Sequence, residues 1–481
     1  MNARSIGSNG CGVSCATGTS INDATGICSP CSRDSPAHTS DARAARRLAT
    51  APARRTATAA SRAAATFRAR ARTPTRFAST SGPPRALRRP THGRISEGVH
   101  RMTHAATSGA TAAARPRPVL MIPLRRCGSH ALRLRLNLNS QFYSPYPLHV
   151  VDFMPLLPLY GDLADDRVYF RLVADVVGLQ AASMVKWPGV AFDPVEIFDA
   201  VRHAPRSVHR IVWELLLRAG EHEGARVVMD KSLDSVHYAD ELMALFPDML
   251  FLNVVRDPRA QVASMNRAII HDFDTLLNAR TWVAAHRAAD AVIARHPQRV
   301  LTIRYEDFLS DQAGTLQRIC AFFGIDFLPR MLDVANSHEA LRISRMSALW
   351  ASNCFAPIAA NADKFKQQLS IAEIATIETL THEYMQRYGY QRMTDASAPP
   401  DAFAAAAARR RSDARRRHAW RELEQSNFRD FVLRRHRADY LEAVRARLQR
   451  HAGTHLDSDG NSHAGAPGRL DTLTAAFDVT D

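Results

Sequence analysis

The chain has 481 residues and a formal net charge of +16, and its hydrophobic fraction of 46% is enough for a sizeable core. Residues 1–118 hold 19 of the 63 basic and 4 of the 47 acidic residues, so nearly all of the excess charge lies there. The nearly neutral remainder argues against specific nucleic-acid binding, and no apolar run approaches the ~20 residues of a membrane span.

The N-terminal segment 1–117 is rich in Arg, Ala, Ser and Thr and has almost no large apolar residues. It cannot bury enough surface to offset the entropy of ordering it, so we expect a disordered tail. Its composition is typical of an organellar transit peptide, and equally of sequence upstream of a later start at Met102.

Seven cysteines fall into two groups. One group in the tail has the spacing of a four-thiolate zinc site, but no apolar residues surround it, and we predict no metal there: Cys11, Cys15, Cys28 and Cys31. The other is scattered through the body, which is typical of reduced thiols in a cytoplasmic protein: Cys127, Cys320 and Cys354. We expect a cytoplasmic location, with organellar import as the alternative.

From residue 118, short apolar runs alternate with amphipathic helices. Strands are predicted over four runs: 119–123, 225–229, 250–255 and 300–303. Helices are predicted between and after them: through Leu132, Leu136 and Leu138, then over 238–245, 258–269, 275–296, 311–323 and 370–388. This alternation predicts an α/β fold over 118–394, with a central parallel sheet flanked by helices on both faces as three layers.

The composition shifts again near residue 395, and an arginine-rich run occupies 409–417. Apolar residues then share one face of a predicted helix over 418–450: Tyr440, Leu441, Val444 and Leu448. We expect this stripe to pack on the body or on a second copy of the chain, as a homodimer. The arginine run is interpreted as a solvated face, with an acidic partner as the alternative. Residues 395–451 are thus a helical extension, and 452–481 a disordered end.

The loop after the first strand, residues 124–130, reads Leu-Arg-Arg-Cys-Gly-Ser-His. A strand that turns through glycine into a helix presents free backbone N–H groups and the positive end of the helix dipole, which bind phosphate. Arg126 and the Ser129 hydroxyl add a charged and a neutral donor. The Walker pattern is absent, which disfavours an ordinary ATPase or GTPase.

Two further strand ends carry cations. Lys231 follows the strand 225–229, and Arg256 ends the strand 250–255, with Ser264 two turns along the next helix. Open α/β sheets bind ligands at the carboxyl edge of their strands, so we expect these side chains in one crevice. Arg256 and Ser264 together suit one phosphate. Each residue alone has an ordinary structural explanation, as a surface lysine or as an arginine paired with Asp257.

In this order and spacing, the pieces resemble the nucleotide-dependent sulfotransferases over about residues 118–390. RRCGSH at 125–130 stands where that family has a PRSGTT-like or PKSGTT-like loop, and Arg256 and Ser264 match its RDP…S segment. YEDFL at 305–309 and FKQQLS at 365–370 match its later segments. The resemblance implies a P-loop-like fold.

The resemblance also implies 3′-phosphoadenosine 5′-phosphosulfate (PAPS) as donor, 3′-phosphoadenosine 5′-phosphate (PAP) as product, and no metal. The loop would hold the 5′-phosphosulfate through six residues: Arg125, Arg126, Cys127, Gly128, Ser129 and His130. Arg256 and Ser264 would hold the 3′-phosphate. Arg125, Cys127 and His130 depart from the family's usual proline, serine and threonine, which leaves a catalytically inactive relative as an alternative.

Sulfuryl transfer requires cations near the leaving oxygen and a base near the acceptor. We assign Arg126 and Lys231 to the leaving group. Relatives with this type of loop carry a catalytic histidine or carboxylate beyond the phosphate-binding arginine, and His149 and Asp152 lie 23 and 26 residues beyond Arg126. We favour His149 as the base, with Asp152 either orienting it or acting as the base itself.

The acceptor is not named by the sequence. Residues 153–212 lie where acceptor-binding elements are expected, and their aromatic and proline content suits a small-molecule, carbohydrate or lipid-linked acceptor. The nearly neutral body argues against a highly sulfated polysaccharide, which favours a basic groove. The main alternative activity is that of a P-loop-like nucleotide or sugar kinase.

Overall fold

The computed structural model describes residues 115–355, 359–395 and 402–456. Most of the predicted disordered tail and end, the four tail cysteines and Met102 lie outside these residues. Within them, the first strand begins at Arg117 and the last helix continues to Leu456, a few residues past the predicted boundary at 451.

Five parallel strands form one sheet in the order β2-β3-β1-β4-β5. They are β1 (Arg117–Ile122), β2 (Phe142–Tyr143), β3 (Val227–Asp230), β4 (Leu250–Val255) and β5 (Val300–Arg304). The four predicted strands are confirmed, and the two-residue β2 was not predicted. The chain crosses from one side of β1 to the other between β3 and β4, so the carboxyl ends of β1, β3 and β4 meet at a topological switch point.

Helices cover both faces of this sheet. The first six are α1 (Ser129–Leu136), α2 (Asp166–Ala181), α3 (Pro194–Val201), α4 (Val208–His222), α5 (Ala239–Leu245) and α6 (Pro258–Met265). The next six are α7 (Thr275–Arg295), α8 (Tyr305–Ser310), α9 (Gln312–Phe323), α10 (His338–Ser344), α11 (Phe365–Gln368) and α12 (Ile371–Arg387). In the described parts of the chain, no helix has both the length and the apolarity that crossing a membrane demands.

Alternate residues of β1 enter two different cores. Leu120 and Ile122 pack in the cluster that includes α2 and α4, whereas Val119 and Met121 pack with α1 and α9 on the other face. Both sets are fully buried, as expected for a strand inside a parallel sheet covered on two sides. The predicted three-layer α/β architecture is therefore confirmed.

The predicted helices differ from the observed ones mainly at their ends. The helix after Pro258 stops at Met265 and does not include Ile269. The helices predicted over 275–296, 311–323 and 370–388 are confirmed and begin after capping side chains that accept backbone N–H bonds: Asp274, Asp311 and Ser370. The region 153–212 is largely helical, which the sequence did not predict.

The C-terminal extension forms two helices rather than the single helix predicted over 418–450. They are α13 (Ala402–Ser426) and α14 (Phe428–Leu456). The Asn427 side chain accepts the Asp430 N–H at 3.1 Å, so it caps a new helix start. The predicted apolar stripe packs on the body of the same chain, because Leu441, Val444 and Leu448 are buried in the largest core cluster.

Candidate active site

A cavity of about 570 Å³ lies at the carboxyl edge of the sheet, within the size range of small-molecule sites. It brings together all but one of the predicted site residues: Arg125, Arg126, Gly128, Ser129, His130, His149, Asp152, Lys231, Arg256 and Ser264. Cys127 is the exception. Its side chain is fully buried in the core beside α1 and α9, and burial raises the pKa of its thiol to about 11.

The loop between β1 and α1 fits an anion. Gly128 has a φ of 96° and a Cβ placed there would lie 2.3 Å from the Tyr305 ring, so conformation and close approach both require glycine. The first helical bond runs from the Leu132 N–H to the Gly128 carbonyl. The N–H groups of Ser129, His130 and Ala131 therefore have no acceptor within the helix, and all three residues line the cavity.

Three cations follow or face the strand ends and are called the sheet-edge cations here: Arg126, Lys231 and Arg256. Arg126 donates from Nε to Ser264 Oγ at 3.0 Å. Arg256 donates to the Arg126 carbonyl at 2.9 Å and to the Asn361 carbonyl at 3.3 Å, and its guanidinium lies 4.8 Å from the centre of the Tyr305 ring. Among the described residues, none of the three forms an ion pair with a carboxylate.

Burial, followed by the neighbouring positive charges, changes the ionisation of the site. Burial, and then the neighbouring Arg256, lower the pKa of Arg126 to about 10. Lys231 is 2% exposed, and burial together with Arg133 lowers its pKa to about 7. A bound anion would relieve both effects, because it supplies the negative charge that the protein does not. The sheet-edge cations are thus arranged for an anionic ligand.

The predicted Arg125 contribution is weaker. Its guanidinium pairs with Asp234 at 2.5 Å, so its charge is already balanced inside the protein. It still lines the cavity, beside the sheet-edge cations. We therefore expect it to contribute less to anion binding than Arg126.

His149 lies in an unusual local conformation. Its φ of 52° is left-handed, which is uncommon for residues other than glycine, and its backbone N–H donates to Ser232 Oγ at 3.1 Å. The Ser232 hydroxyl in turn donates to Asp230 at 2.9 Å. Burial and the nearby Arg125 hold the pKa of His149 well below its ordinary value, so its imidazole is neutral at pH 7. Its Nδ1 has no hydrogen-bond partner among the described residues.

Asp152 does not contact the His149 imidazole through a hydrogen bond in the described structure. Its carboxylate accepts from Arg437 of α14 at 2.9 Å. The predicted orienting role of Asp152 toward His149 therefore has no hydrogen bond to support it.

Aromatic side chains form the wall beside the candidate base. The Tyr146 ring lies 6.2 Å from His149, 6.0 Å from His130 and 5.5 Å from Trp350, measured between ring centres. Burial, followed by the nearby Lys231, also lowers the pKa of His130 well below its ordinary value. His130 is thus a neutral group in this wall.

The C-terminal extension supplies cavity residues that the sequence did not predict. We call three of them the extension arginines: Arg416, Arg434 and Arg437. Each has a carboxylate partner at 2.9 Å, namely Asp272, Asp430 and Asp152 respectively. The arginine run was visible in the sequence, but no signal there indicates where an extension docks.

Other lining residues were not among the predicted site residues. Trp350, Asn353 and Lys364 line the cavity, as does Tyr305 of the YEDFL segment. Tyr305 could have been found from that segment only by knowing that it packs against Gly128.

Sequence models of known families match two overlapping parts of the chain. The model described as "Sulfotransferase family" matches residues 118–329, and the one described as "Sulfotransferase domain" matches residues 273–387. The two matches together cover residues 118–387, which include the sheet from Pro118 onward and every cavity-lining residue that precedes the C-terminal extension. No curated protein matches the chain.

Twelve chains of solved structures also match. The sulfotransferase domain of the olefin synthase from Synechococcus PCC 7002 is 22% identical, with a TM-score of 0.42, over 58% of this chain and 96% of that one. The sulfotransferase domain from the curacin biosynthetic pathway is 18% identical, with a TM-score of 0.40, over 58% and 99%. A sulfotransferase from Alicyclobacillus acidocaldarius is 17% identical, with a TM-score of 0.28, over 54% and 99%. The family match is carried by the two sequence models and not by these likenesses.

Proposed function

Because the chain belongs to the sulfotransferase family, and thus transfers a sulfuryl group from a sulfonate donor, we propose that this donor is PAPS. The observation that carries the proposal is the set of sheet-edge cations, which line the cavity together with the first residues of α1 and have no carboxylate partners among the described residues. A nucleotide with phosphate groups at both ends of its ribose supplies the missing charge.

The two anionic ends of the donor are assigned to two groups of residues. The loop N–H groups, Arg126 and Lys231 bind the phosphosulfate, and Arg256 and Ser264 bind the 3′-phosphate. The bond from Arg126 to Ser264 joins the two groups before any ligand binds, which keeps both side chains close to their places.

The donor supplies the sulfuryl group, which an acceptor oxygen attacks in line. Arg126 and Lys231 stabilise the negative charge that develops on the departing nucleotide. The His149 imidazole accepts the acceptor proton. It is neutral at pH 7, whereas the Asp152 carboxylate is bound by Arg437, so we favour His149 over Asp152 as the base.

We further propose a small-molecule, carbohydrate or lipid-linked hydroxyl or amine acceptor that enters beside the aromatic wall of Tyr146 and Trp350. A cytoplasmic location is proposed from the three buried free thiols of the body, at Cys127, Cys320 and Cys354. A homodimer remains a prediction. It would need a face of α14 other than the apolar stripe, which packs on its own chain.

Calorimetric titration of the full chain with PAP, adenosine 5′-phosphate and ATP tests the donor. We expect micromolar binding of PAP and at least about tenfold weaker binding of the two nucleotides that lack a 3′-phosphate. Equal affinity for ATP would favour a kinase and overturn the assignment. Binding of PAP would justify a screen of hydroxyl and amine acceptors with PAPS.

A further inference from the structure

The C-terminal extension lies beyond the part of the chain that matches the sulfotransferase models, which ends at residue 387. It is nevertheless fixed firmly on the body. The Tyr440 hydroxyl donates to the Asp175 carbonyl at 2.9 Å, and a Cβ placed on Gly178 would lie 2.1 Å from that hydroxyl oxygen. Glycine on α2 thus permits a close approach that sets the position of α14.

This docking places Arg437 against the segment 148–152. One guanidinium nitrogen donates to the Asp152 carboxylate at 2.9 Å. The other donates to the Leu148 carbonyl at 2.8 Å and to the His149 carbonyl at 3.3 Å. A planar guanidinium presents these donors in a fixed geometry, so one side chain fixes three points of the segment.

The segment needs such support because its backbone is strained at His149. A left-handed conformation costs a histidine free energy and persists only where the surrounding structure holds it. Ser232 accepts the His149 N–H, and Arg437 binds the carbonyl on the other side of the same residue. The candidate base is therefore held by Ser232, just after β3, and by Arg437 of α14 together.

Arg437 lines the cavity, so its charge has two conceivable uses, binding an anionic ligand or holding the segment. Its ion pair with Asp152 is largely buried, with side chains 15% and 23% exposed. The charge is thus already balanced, and both terminal nitrogens already donate to the segment. This arrangement favours the second use.

We propose that Arg437 is a positioning residue that holds the segment 148–152, and with it His149, at the cavity. The inference rests on the proposed role of His149 as the base. It makes α14 part of the active site, although that helix lies outside the region that matches the family.

Hydrogen–deuterium exchange of the full chain, measured without nucleotide or acceptor, tests the contact by itself. In Arg437→Ala we expect the amides of the segment 148–153 to exchange at least about tenfold faster, while those of β1 and β4 are unchanged. Arg437→Lys should show a smaller increase. The matched control is Arg435→Ala, on the same helix but 41% exposed and paired with Asp439, which should exchange like the parent chain. Unchanged exchange in Arg437→Ala would overturn the proposal.

A remote variant separates positioning from general loosening. Gly178→Ala displaces Tyr440 and hence α14 without altering any residue of the cavity. We expect it to speed exchange of the segment 148–153 as well. If Arg437→Ala loosens the whole sheet, Gly178→Ala decides, and unchanged exchange of the segment in that variant would contradict the proposal.

Turnover of PAPS with an acceptor from the screen gives the kinetic test. Misplacing a base by about 1 Å can cost ~100-fold in rate, so we expect kcat of Arg437→Ala to fall about 10–100-fold. Its KM for PAPS should stay within about threefold, because the nucleotide contacts are elsewhere. A rise in KM of about 10–100-fold with kcat unchanged would instead assign Arg437 to ligand binding. Failure of the parent chain to bind PAP would reject the donor, whereas the exchange results, obtained without nucleotide, would still decide the role of Arg437.

Discussion

The sheet-edge cations and the extension arginines line one cavity but differ in how their charges are balanced. Arg126 and Arg256 donate to a hydroxyl and to backbone carbonyls, whereas Arg434 and Arg437 donate to carboxylates. A cation without a carboxylate partner gains most from a ligand anion, and a paired one gains least. The partner, more than the residue type or its place in a cavity, therefore indicates which arginine binds and which one holds structure.

The largest expected effect is at His149, which lines the same cavity as the sheet-edge cations and is contacted by the extension arginine Arg437. His149→Ala removes the proposed base, and general-base catalysis contributes typically about 100–10,000-fold to the rate. We expect kcat to fall by that amount while the Kd for PAP, measured by calorimetry, stays within about threefold. Loss of PAP binding together with turnover would show that the residue is structural.

A large loss of stability is expected at one extension arginine. Arg434 pairs with Asp430, which is 3% exposed, so Arg434→Ala leaves a buried carboxylate without its cation. We expect the free energy of unfolding to fall by about 3–5 kcal/mol in chemical denaturation. Arg435→Ala, which breaks an exposed pair one position along, should cost under about 1 kcal/mol. Equal losses of unfolding free energy in the two variants would contradict a structural role for the buried pair.

Nucleotide binding should separate the two regions directly. Removing a hydrogen bond to a charged group costs about 1.5–3 kcal/mol, so Arg256→Ala should weaken PAP binding about 10–150-fold. Arg416→Ala, which removes a cation already paired with Asp272, should change the Kd by no more than about threefold. Similar losses in the two variants would mean that charge pairing does not distinguish the regions.

The smallest expected effect is the pH dependence of nucleotide binding. Because the pKa of Lys231 is lowered to about 7, its ammonium loses its proton as the pH rises above 7. PAP binds the protonated form better, so its affinity should fall between pH 7 and 8.5 by up to about tenfold per pH unit. Lys231→Met should bind more weakly at pH 7 and show a flatter pH dependence. A slope that persists in Lys231→Met would assign the titration to another group.

The central sheet and the positions of the sheet-edge cations could be predicted from the sequence because their signals are local. Apolar runs define the strands, and strand order then brings Lys231 and Arg256 to one edge without further information. Gly128 was predicted for the same reason, since a strand–glycine–helix turn is recognisable in seven residues. The burial of the Cys127 side chain was not predicted, because adjacent residues of a loop can face either a cavity or the core.

The cavity residues that the extension supplies could not be predicted, because their contacts join distant parts of the chain. Arg437 and His149 are 288 residues apart, and no periodicity encodes that contact. The break between α13 and α14 did have a local signal. Asn427 with Asp430 three residues later is typical of a capped helix start, and the continuous charge pattern around it concealed the boundary.

The 288-residue separation between Arg437 and His149 also has a consequence in time. A ribosome that adds about 5–20 residues per second incorporates Arg437 roughly 15–60 s after His149. During that interval the nascent chain already contains the loop around Gly128 and, later, Lys231 and Arg256. It does not yet contain Arg437, which holds the proposed base. On the proposed role of Arg437, the base is held in place only once α14 has been synthesised and has docked, so catalytic competence is the last property that the folding chain acquires.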